Sequence, residues 1–435
     1  SPQGKISCYV EPDDRRVYRD FFIPRDDRKN AREGQKVLIE LVHWNDPREY
    51  PTGRVVEVLG EPGDHNVEIE SIVYDAGFLI DFPEEVTREA RKHEKEFDQI
   101  IAREIKNSVP VDEIRGDGEN RTELYKHTAK EDRSRQQSSS QPGTSSRKDF
   151  RDVTTFTIDP ADAKDFDDAI SLREQGGGKF ELGVHIADVS FYVAPGTALD
   201  KEAARRGTSI YLVDRTIPML PLELSANICS LKPLEERLAY SAVFTISEKG
   251  AIESEWYGRT VIKSNKRFTY EEAAKVLSEK KGPFYRELNQ LNHWAKEFKK
   301  ERVAKGSVLF ETEEVRIELN SKHEPVRIYK KQHLATHDLI EEFMLLANKK
   351  VAEHVGKTKH GSSRSFVYRI HGEPNQEKII DLSIFLKSLG YDLVHKEGKI
   401  SARALNNLLD EIRDKEEAGL IQTAAIRSMA KAIYT

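Results

Sequence analysis

Four aspartates in one short segment are the residues best suited to chemistry in this chain. They lie within ten positions of TTFTIDPADAKDFDDAI, residues 154–170, directly after a run typical of a strand: Asp159, Asp165, Asp167 and Asp168. Because carboxylates packed this closely repel one another, a fold gathers them only around cations. A carboxylate set without His or Cys favours one or two hard ions, Mg²⁺ or alternatively Mn²⁺, over zinc. The segment therefore predicts a divalent-metal site for phosphate chemistry.

Two other interpretations of the acidic segment are weaker. A solvated turn is the usual explanation of a charge run, but Phe156 and Ile158 lead directly into this one and Phe166 interrupts it. These apolar positions are expected to be buried, so the acidic segment should lie beside the core and not in a solvated turn. An EF-hand loop counted from Asp159 would place Lys164 where the invariant glycine belongs. The segment therefore does not follow the calcium-sensor pattern.

Composition sets the limits for the elements that must position these aspartates. With 435 residues, 37% of them hydrophobic, the chain is long enough for two or three domains with sizeable cores. Cys8 and Cys229 form no CxxC pair, which argues against a zinc ribbon and is compatible with a reducing compartment. We find neither an apolar run long enough to span a bilayer nor a secretory signal, and expect a cytoplasmic protein without a membrane partner. The net charge of −6 does not by itself indicate a nucleic-acid partner.

Residues 1–85 predict a small barrel. Five β-type runs alternate with turn clusters: ISCYV, RVYRDFFIP, QKVLIELVHW, GRVVEVLG and NVEIESIVY. Aromatic residues interleave with arginines, as in OB-type barrels that stack bases and follow phosphates, and the candidates for RNA contact are Tyr9, Phe21 and Phe22. A barrel core with a solvated rim explains the same pattern and remains an alternative.

The rest of the chain divides into a connection and a larger domain. Residues 86–150 predict a connecting helix followed by a low-complexity loop at 116–146. Residues 151–435 mix strands with long helices, including HDLIEEFMLLANKKVAEHV and a helix over 377–389. The last residues, IQTAAIRSMAKAIYT, continue a helical pattern without a stop signal, so we expect a chain cut short there. The predicted fold class is α+β, an OB-type barrel followed by a mixed α/β domain.

Four phrases carry a resemblance to a known family: TFTIDPADAKDFDDAI, VHIADVSFYV, RRGTSIYLVDRTIPMLPLELSANICSL and LIEEFMLLAN. They resemble the catalytic (RNB) domain of the RNase II and RNase R family of exoribonucleases, and are most similar to the bacterial RNase R type. The preceding barrel resembles the second cold-shock domain of that type. The resemblance implies a monomeric hydrolase of RNA turnover. Its expected activity is processive 3′→5′ degradation of single-stranded RNA with a free 3′ end, releasing nucleoside 5′-monophosphates.

The resemblance also implies roles for individual residues. The four aspartates match the family's metal-site aspartates, and Asp167 is the one expected to matter most for catalysis. Tyr211 in TSIYLVD matches the tyrosine that lies against the terminal nucleotide, and Tyr270 in RFTYEEA resembles the aromatic that clamps the end of the base stack. Half-buried core aromatics are the alternative explanation of both tyrosines.

Other candidates depend on weaker patterns. Glu341 and Glu342 could reach the end of the RNA, although the polar face of a helix explains them equally well. Arg206 lies near Tyr211 in sequence and is a candidate phosphate contact. His185 and Asp188 could form a dyad, but a strand histidine with satisfied hydrogen bonds is the better interpretation of VHIADVS.

The chain departs from the family pattern at its end. The family continues into an HYGLAF stretch, an SPIRRY stretch whose arginine contacts the reacting phosphate, and a basic S1 domain, none of which occurs in these 435 residues. Loss of such an arginine would remove a large electrostatic contribution, so activity of this chain by itself is open. The main alternative is therefore a catalytically inactive RNA-binding protein of the same fold. A calcium-stabilised adhesion module is a more distant alternative.

Overall fold

The computed structural model describes residues 8–111, 146–310, 315–321, 324–356, 365–372, 374–393, 395–396 and 399–435. The predicted low-complexity loop at 116–146 lies, apart from its last residue, outside the described residues. The chain forms two compact units. The first comprises Ser1–Arg91, Val193–Pro221 and Leu319–Val326, and the second comprises Lys92–Tyr192, Leu222–Glu318 and Arg327–Thr435.

Strands and helices alternate along the chain, which confirms the predicted mixture of both. The strands are β1 Cys8–Val10, β2 Phe21–Ile23, β3 Lys36–His43, β4 Thr52–Gly60, β5 Val109–Pro110, β6 Lys148–Phe150, β7 Thr155–Asp159, β8 Asp168–Gly176, β9 Lys179–Ala187, β10 Ile210–Tyr211, β11 Thr216–Ile217, β12 Glu236–Ser247, β13 Ile252–Lys263, β14 Lys266–Thr269, β15 Val315–Leu319, β16 Pro325–Lys330, β17 Arg369–His371, β18 His395–Lys396, β19 Lys399–Ile400 and β20 Ala432–Tyr434. The α-helices are α1 His65–Asp75, α2 Glu84–Lys106, α3 Val189–Tyr192, α4 Ala198–Arg206, α5 Tyr270–Glu279, α6 Tyr285–Ala304, α7 Ala335–Gly356, α8 Gln376–Ser388, α9 Ala402–Ile412 and α10 Ala418–Ser428. A 3₁₀ turn covers Arg25–Asp27, and a π-helical turn covers Leu224–Ile228.

The first unit contains a four-stranded sheet in the order β1-β2-β4-β3. The register between β3 and β4 shifts at three places. Such bulges bend a strand and increase its twist, which curls a small sheet towards a barrel. Ile23 and Val55 are buried in its core.

The fifth predicted strand of the barrel, NVEIESIVY, is wrong: these residues form α1. Asp64 caps the helix, because its side chain accepts hydrogen bonds from the backbone N–H groups of Asn66 and Val67. Val67 and Val73 are the buried residues of this helix. The β-branched residues favoured a strand, but the helix cap at Asp64 outweighs that preference. Helix α2 is the predicted connecting helix.

The second unit is built on an eight-stranded sheet in the order β14-β7-β8-β9-β12-β13-β6-β5. The strands from β7 to β13 pair antiparallel, whereas β14 pairs parallel with β7 and β6 pairs parallel with β13. Strands β12 and β13 form a hairpin, and its turn at Gly250 needs the positive φ of 87°. Strand β9 ends at Ala187, and α3 begins at Val189.

One face of this sheet packs against α5, α6 and α7, and the buried side chains there include Phe156, Ile170, Phe244, Trp294 and Phe343. The indole N–H of Trp294 donates to the backbone oxygen of Glu248 at 2.9 Å, so its polar atom is satisfied inside the core. A second apolar cluster joins α8, α9 and α10.

The structure confirms the helices predicted over HDLIEEFMLLANKKVAEHV and 377–389, which are α7 and α8. The final helical pattern ends sooner than expected, because Met429 is extended and β20 pairs with β17. Among the described parts of the chain, no helix combines the length and the apolar character needed to cross a bilayer.

Candidate active site

The acidic loop, residues 160–167, connects two neighbouring antiparallel strands. Strand β7 ends at Asp159 and β8 begins at Asp168, and the two strands pair with each other. The two aspartates therefore lie at the same edge of the sheet, and the loop that joins them carries Asp165 and Asp167. The sheet thus brings the four predicted aspartates into one region of the second unit.

Burial and neighbouring negative charges make ionisation of Asp159, Asp167 and Asp168 unfavourable. The pKa of Asp159 is raised to about 7, mainly by burial and in part by the charges of Asp168 and Asp167, against a hydrogen bond from Thr157 at 2.5 Å. Burial and the charge of Asp167 raise the pKa of Asp168 to about 6. Asp167 is exposed by surface area, but the protein around it still removes enough water to raise its pKa, and the charge of Asp165 adds to this.

Arg267 partly offsets this negative charge. Its Nη2 donates to the backbone oxygen of Pro160, its guanidinium lies 5.5 Å from the centre of the Phe166 ring, and its charge lowers the pKa of Asp159. Strand β14 places it there, because β14 pairs with β7 in parallel register. Arg267 therefore supports the acidic loop from the adjacent strand.

The donor chemistry of the site fits a hard divalent cation, since its candidate ligands are carboxylates that repel one another. The side-chain orientations of the four aspartates are less favourable for binding a cation. Within the ranges that the structure describes, no three side chains of His, Cys, Asp or Glu converge closely enough to hold a metal ion. Binding an ion between the four aspartates would therefore require rotation of their side chains.

Tyr270 lies beside the aspartates. It is the first residue of α5, which follows β14 directly and is capped by Thr269, the residue paired with Asp159. Burial and the charges of Asp168 and Asp159 raise the pKa of Tyr270 to about 12. Its ring stacks on His337 with 3.9 Å between ring centres and an interplanar angle of 11°. The structure thus brings this predicted RNA contact into the site.

Glu341 and Glu342 differ in their surroundings. Glu342 is only 3% exposed, and its carboxylate accepts two hydrogen bonds from Arg302 of α6, at 2.5 Å from Nη2 and 3.1 Å from Nε. Glu341 is exposed and accepts a longer bond from Arg302, 3.3 Å. An RNA contact by Glu342 would require its pair with Arg302 to open, whereas Glu341 is accessible as it stands.

Tyr211 belongs to the first unit and is 69% exposed. It lies in the short hairpin β10–β11, whose tip is fixed by Asp214. The carboxylate of Asp214 is 3.0 Å from Nε2 of His65 and accepts a hydrogen bond from Arg215 Nε at 2.9 Å. The hairpin therefore presents Tyr211 to solvent, where a base can stack on it.

The placement of Arg206 argues against its predicted contact with phosphate. Its side chain is 5% exposed and lies against the ring of Phe82, 3.6 Å from the ring centre. The guanidinium donates to Glu202 at 2.9 Å and to the backbone oxygens of Pro218 and Asp81. These contacts hold the guanidinium inside its own unit, so a phosphate contact by Arg206 stays a prediction and would require some of them to open.

The predicted aromatic contacts of the barrel lie on two sides of β2. Tyr9 pairs with Phe22 in register, and their ring centres are 5.7 Å apart. Tyr50 joins them at 5.2 Å from Tyr9. Phe21 points to the other side of the strand because side chains alternate. The aromatic patch therefore consists of Tyr9 and Tyr50, which are exposed, and Phe22, which is half-buried.

His185 is a buried strand histidine, as the better interpretation of its motif proposed. Its Nδ1 lies 2.7 Å from Ser241 Oγ and its Nε2 lies 2.8 Å from Ser171 Oγ. A Cβ at Gly183 would lie 2.3 Å from Ser171 Oγ, so only glycine leaves room for this contact. Asp188 instead pairs with buried Arg147 at 2.8 Å.

Three residues of these sites were missed by sequence reasoning. Arg267 is three positions before Tyr270 in the quoted phrase RFTYEEA, so its proximity to the site could have been inferred from that phrase. His337 is the first residue of the quoted phrase HDLIEEFMLLAN. It lies four positions before Glu341, and this spacing places its ring on the same face of the helix as that candidate. Tyr50 lies in a turn cluster, and no pattern separated it from other exposed aromatics.

Comparisons of sequence agree with this organisation. Residues 147–435 match the RNB domain family, and residues 9–83 match the Cold shock domain family. Ribonuclease R of Thermotoga maritima is 34% identical over 98% of this chain and 55% of its own length. Ribonuclease R of Escherichia coli is 33% identical over 98% of this chain and 47% of its own length. The chain thus spans about half the length of these relatives.

Solved structures share the fold at lower identity. Mycoplasma genitalium RNase R in complex with ribose methylated single-stranded RNA superimposes with a TM-score of 0.78, at 21% identity, over 99% of this chain and 62% of that protein. Yeast Ssd1, a pseudonuclease, superimposes with a TM-score of 0.65, at 20% identity, over 98% of this chain and 48% of that protein. By its RNB and cold-shock domains and its identity to curated Ribonuclease R proteins, the chain belongs to the RNB family of exoribonucleases.

Proposed function

We propose that this chain forms the cold-shock domain and the aspartate-bearing part of a Mg²⁺-dependent 3′→5′ exoribonuclease that processively releases nucleoside 5′-monophosphates. The observation that carries the proposal is the gathering of four aspartates at one sheet edge, with the pKa of Asp159 raised to about 7 in a member of the RNB family. A cation would relieve this repulsion. The RNA complex of the Mycoplasma genitalium relative supports single-stranded RNA as the substrate.

Each group of side chains has a separate role in this proposal. Asp159, Asp165, Asp167 and Asp168 would hold Mg²⁺, alternatively Mn²⁺. A bound divalent ion would supply an activated water and neutralise charge on the leaving oxygen. Tyr270, supported by the His337 ring, offers a stacking surface for a base beside the carboxylates. Tyr211 and the aromatic patch of the barrel offer further stacking surfaces on the first unit.

Asp167→Asn in the full-length protein tests the proposal. We expect loss of Mg²⁺-dependent mononucleotide release from uniformly labelled RNA, with RNA binding retained, because the amide cannot provide an anionic ligand. Asp162→Asn is the matched control: it changes an exposed aspartate of the same loop, 3.6 Å from Arg316, and should retain activity. RNA blocked at its 3′ end should resist degradation. Normal hydrolysis by the Asp167→Asn protein would refute the assignment.

The second candidate is an RNA-binding protein without catalysis. It is favoured by one observation, namely that a pseudonuclease shares this fold. RNA binding by the full-length wild-type protein without any Mg²⁺-dependent cleavage would support this candidate. A cytoplasmic location and a monomeric state are part of the main proposal, and light scattering of the purified protein tests the latter.

A further inference from the structure

One buried serine, Ser230, holds the acidic loop. Ser230 follows the π-helical turn and is 1% exposed. Its hydroxyl accepts a hydrogen bond from the backbone N–H of Phe166 at 3.0 Å and donates one to the backbone oxygen of Lys164 at 2.9 Å. A single side chain therefore fixes the main chain on both sides of Asp165.

Ser230 is itself firmly placed. Its backbone oxygen accepts a hydrogen bond from Nε of the buried Arg237 at 2.8 Å, and its N–H donates to the backbone oxygen of Asn227 at 3.1 Å. The next residue, Leu231, donates from its N–H to the backbone oxygen of Phe166 at 2.9 Å. The loop is thus attached through Ser230 to β12, the strand that carries Arg237.

We propose that Ser230 is a positioning residue, whose hydroxyl keeps the acidic loop in the conformation from which Asp165 and Asp167 receive a divalent cation. Neighbouring carboxylates push the loop apart before a cation is bound, and hydrogen bonds to its backbone oppose that expansion. The cation-binding part of this inference rests on the proposed function, whereas the conformational part does not.

Ser230→Ala tests both parts in the full-length protein. The first measurement is residue-resolved hydrogen exchange of metal-free protein. The Phe166 amide should exchange roughly fivefold faster or more, which corresponds to loss of a hydrogen bond of about 1 kcal/mol. The second is titration with Mn²⁺ followed by electron paramagnetic resonance, in which the midpoint should rise roughly tenfold or more.

Ser428→Ala is the matched control. Ser428 is also a buried serine of the second unit, and its hydroxyl donates to the backbone oxygen of Ala425 at 2.6 Å in α10, outside the acidic loop. A merely structural serine would lower stability in either variant and leave the Mn²⁺ midpoint unchanged.

The outcomes separate the two ideas. Faster Phe166 exchange and a raised Mn²⁺ midpoint in Ser230→Ala, with neither change in Ser428→Ala, would support the inference. Unchanged Phe166 exchange in Ser230→Ala would overturn it, as would faster exchange with an unchanged midpoint. If wild-type protein bound no Mn²⁺, the proposed function would fall together with the cation-binding role of Ser230, and the exchange rate alone would then decide whether Ser230 holds the loop.

Discussion

His185 should make the stability of the fold sensitive to mild acid. Its ring is fully buried between Ser171 and Ser241, and burial lowers its pKa to about 3. An unfolded histidine has a pKa of about 6.5. Below that pH the unfolded chain binds a proton that the native site excludes. The contribution of His185 is therefore complete above about pH 6.5 and is lost as the pH falls from there towards 3.

The size of this loss of stability depends mainly on the protonation of His185 in the unfolded chain. Because the native pKa lies well below pH 5, the loss between pH 7 and pH 5 follows from protonation of the unfolded side chain alone. The limiting slope is about 1.4 kcal/mol per pH unit, and the loss over this interval is about 2 kcal/mol. Asp159 and Asp168 act in the opposite direction, because their raised pKa values let the native state bind protons in the same interval.

The difference in unfolding free energy between wild type and His185→Gln cancels these opposing contributions, because both proteins contain Asp159 and Asp168. Glutamine keeps a donor and an acceptor for Ser171 and Ser241 but does not titrate. Urea unfolding at pH 7 and pH 5 should show the stability advantage of wild type over the variant shrinking by about 2 kcal/mol. His293→Gln, which removes an exposed imidazole, is the control and should change stability by less than about 0.5 kcal/mol at either pH. A wild-type advantage that is the same at both pH values would refute the reasoning.

Three further predictions concern contacts described above. Tyr50→Ala should weaken single-stranded RNA binding by roughly fivefold or more, because a stacked base contributes about 1–3 kcal/mol; fluorescence anisotropy measures this, and unchanged affinity would exclude Tyr50 from the RNA-binding surface. A double-mutant cycle of Arg302→Met and Glu342→Gln, followed by urea unfolding, should give a coupling of about 1–3 kcal/mol, whereas additive effects would contradict the buried pair. Trp294→Phe should destabilise the fold by about 1–3 kcal/mol, because it removes the indole N–H that donates to the backbone oxygen of Glu248 and leaves space around a fully buried ring; a calorimetric loss below this range would argue against this account.

The elements that sequence predicted well are those with a long periodic pattern or a strong local signal. Helix α2 follows from the spacing of Val86, Ala90 and Ile101, which are all buried. The gathering of the aspartates follows from a strand that ends at Asp159 and a second that starts within ten residues. Helix α1 was predicted as a strand because β-branched residues are frequent in it. The cap at Asp64, which favours the helix, is a signal from only one residue and is easily overlooked in the sequence.

What sequence could not predict depends on contacts between distant positions. Arg206 resembles an exposed phosphate ligand until Phe82 and the carbonyl of Asp81, more than a hundred residues away, are seen to surround it. Ser230 is 64 positions from Phe166, and no local pattern links a buried serine to a distant loop. The orientations of the four carboxylates likewise depend on packing that spacing does not encode.

Strand β8 links the candidate site to the core in a way that restricts how the sequence can change. Asp168, Ile170 and Leu172 alternate with Ala169 and Ser171, so the first three share one face of the sheet. That face carries the main apolar core, while Ser171 on the opposite face contacts His185. Inserting or deleting one residue in β8 would exchange the two faces, removing Asp168 from the site and Ile170 from the core together. A change of length inside β8 would therefore disturb both the core and the candidate site at once.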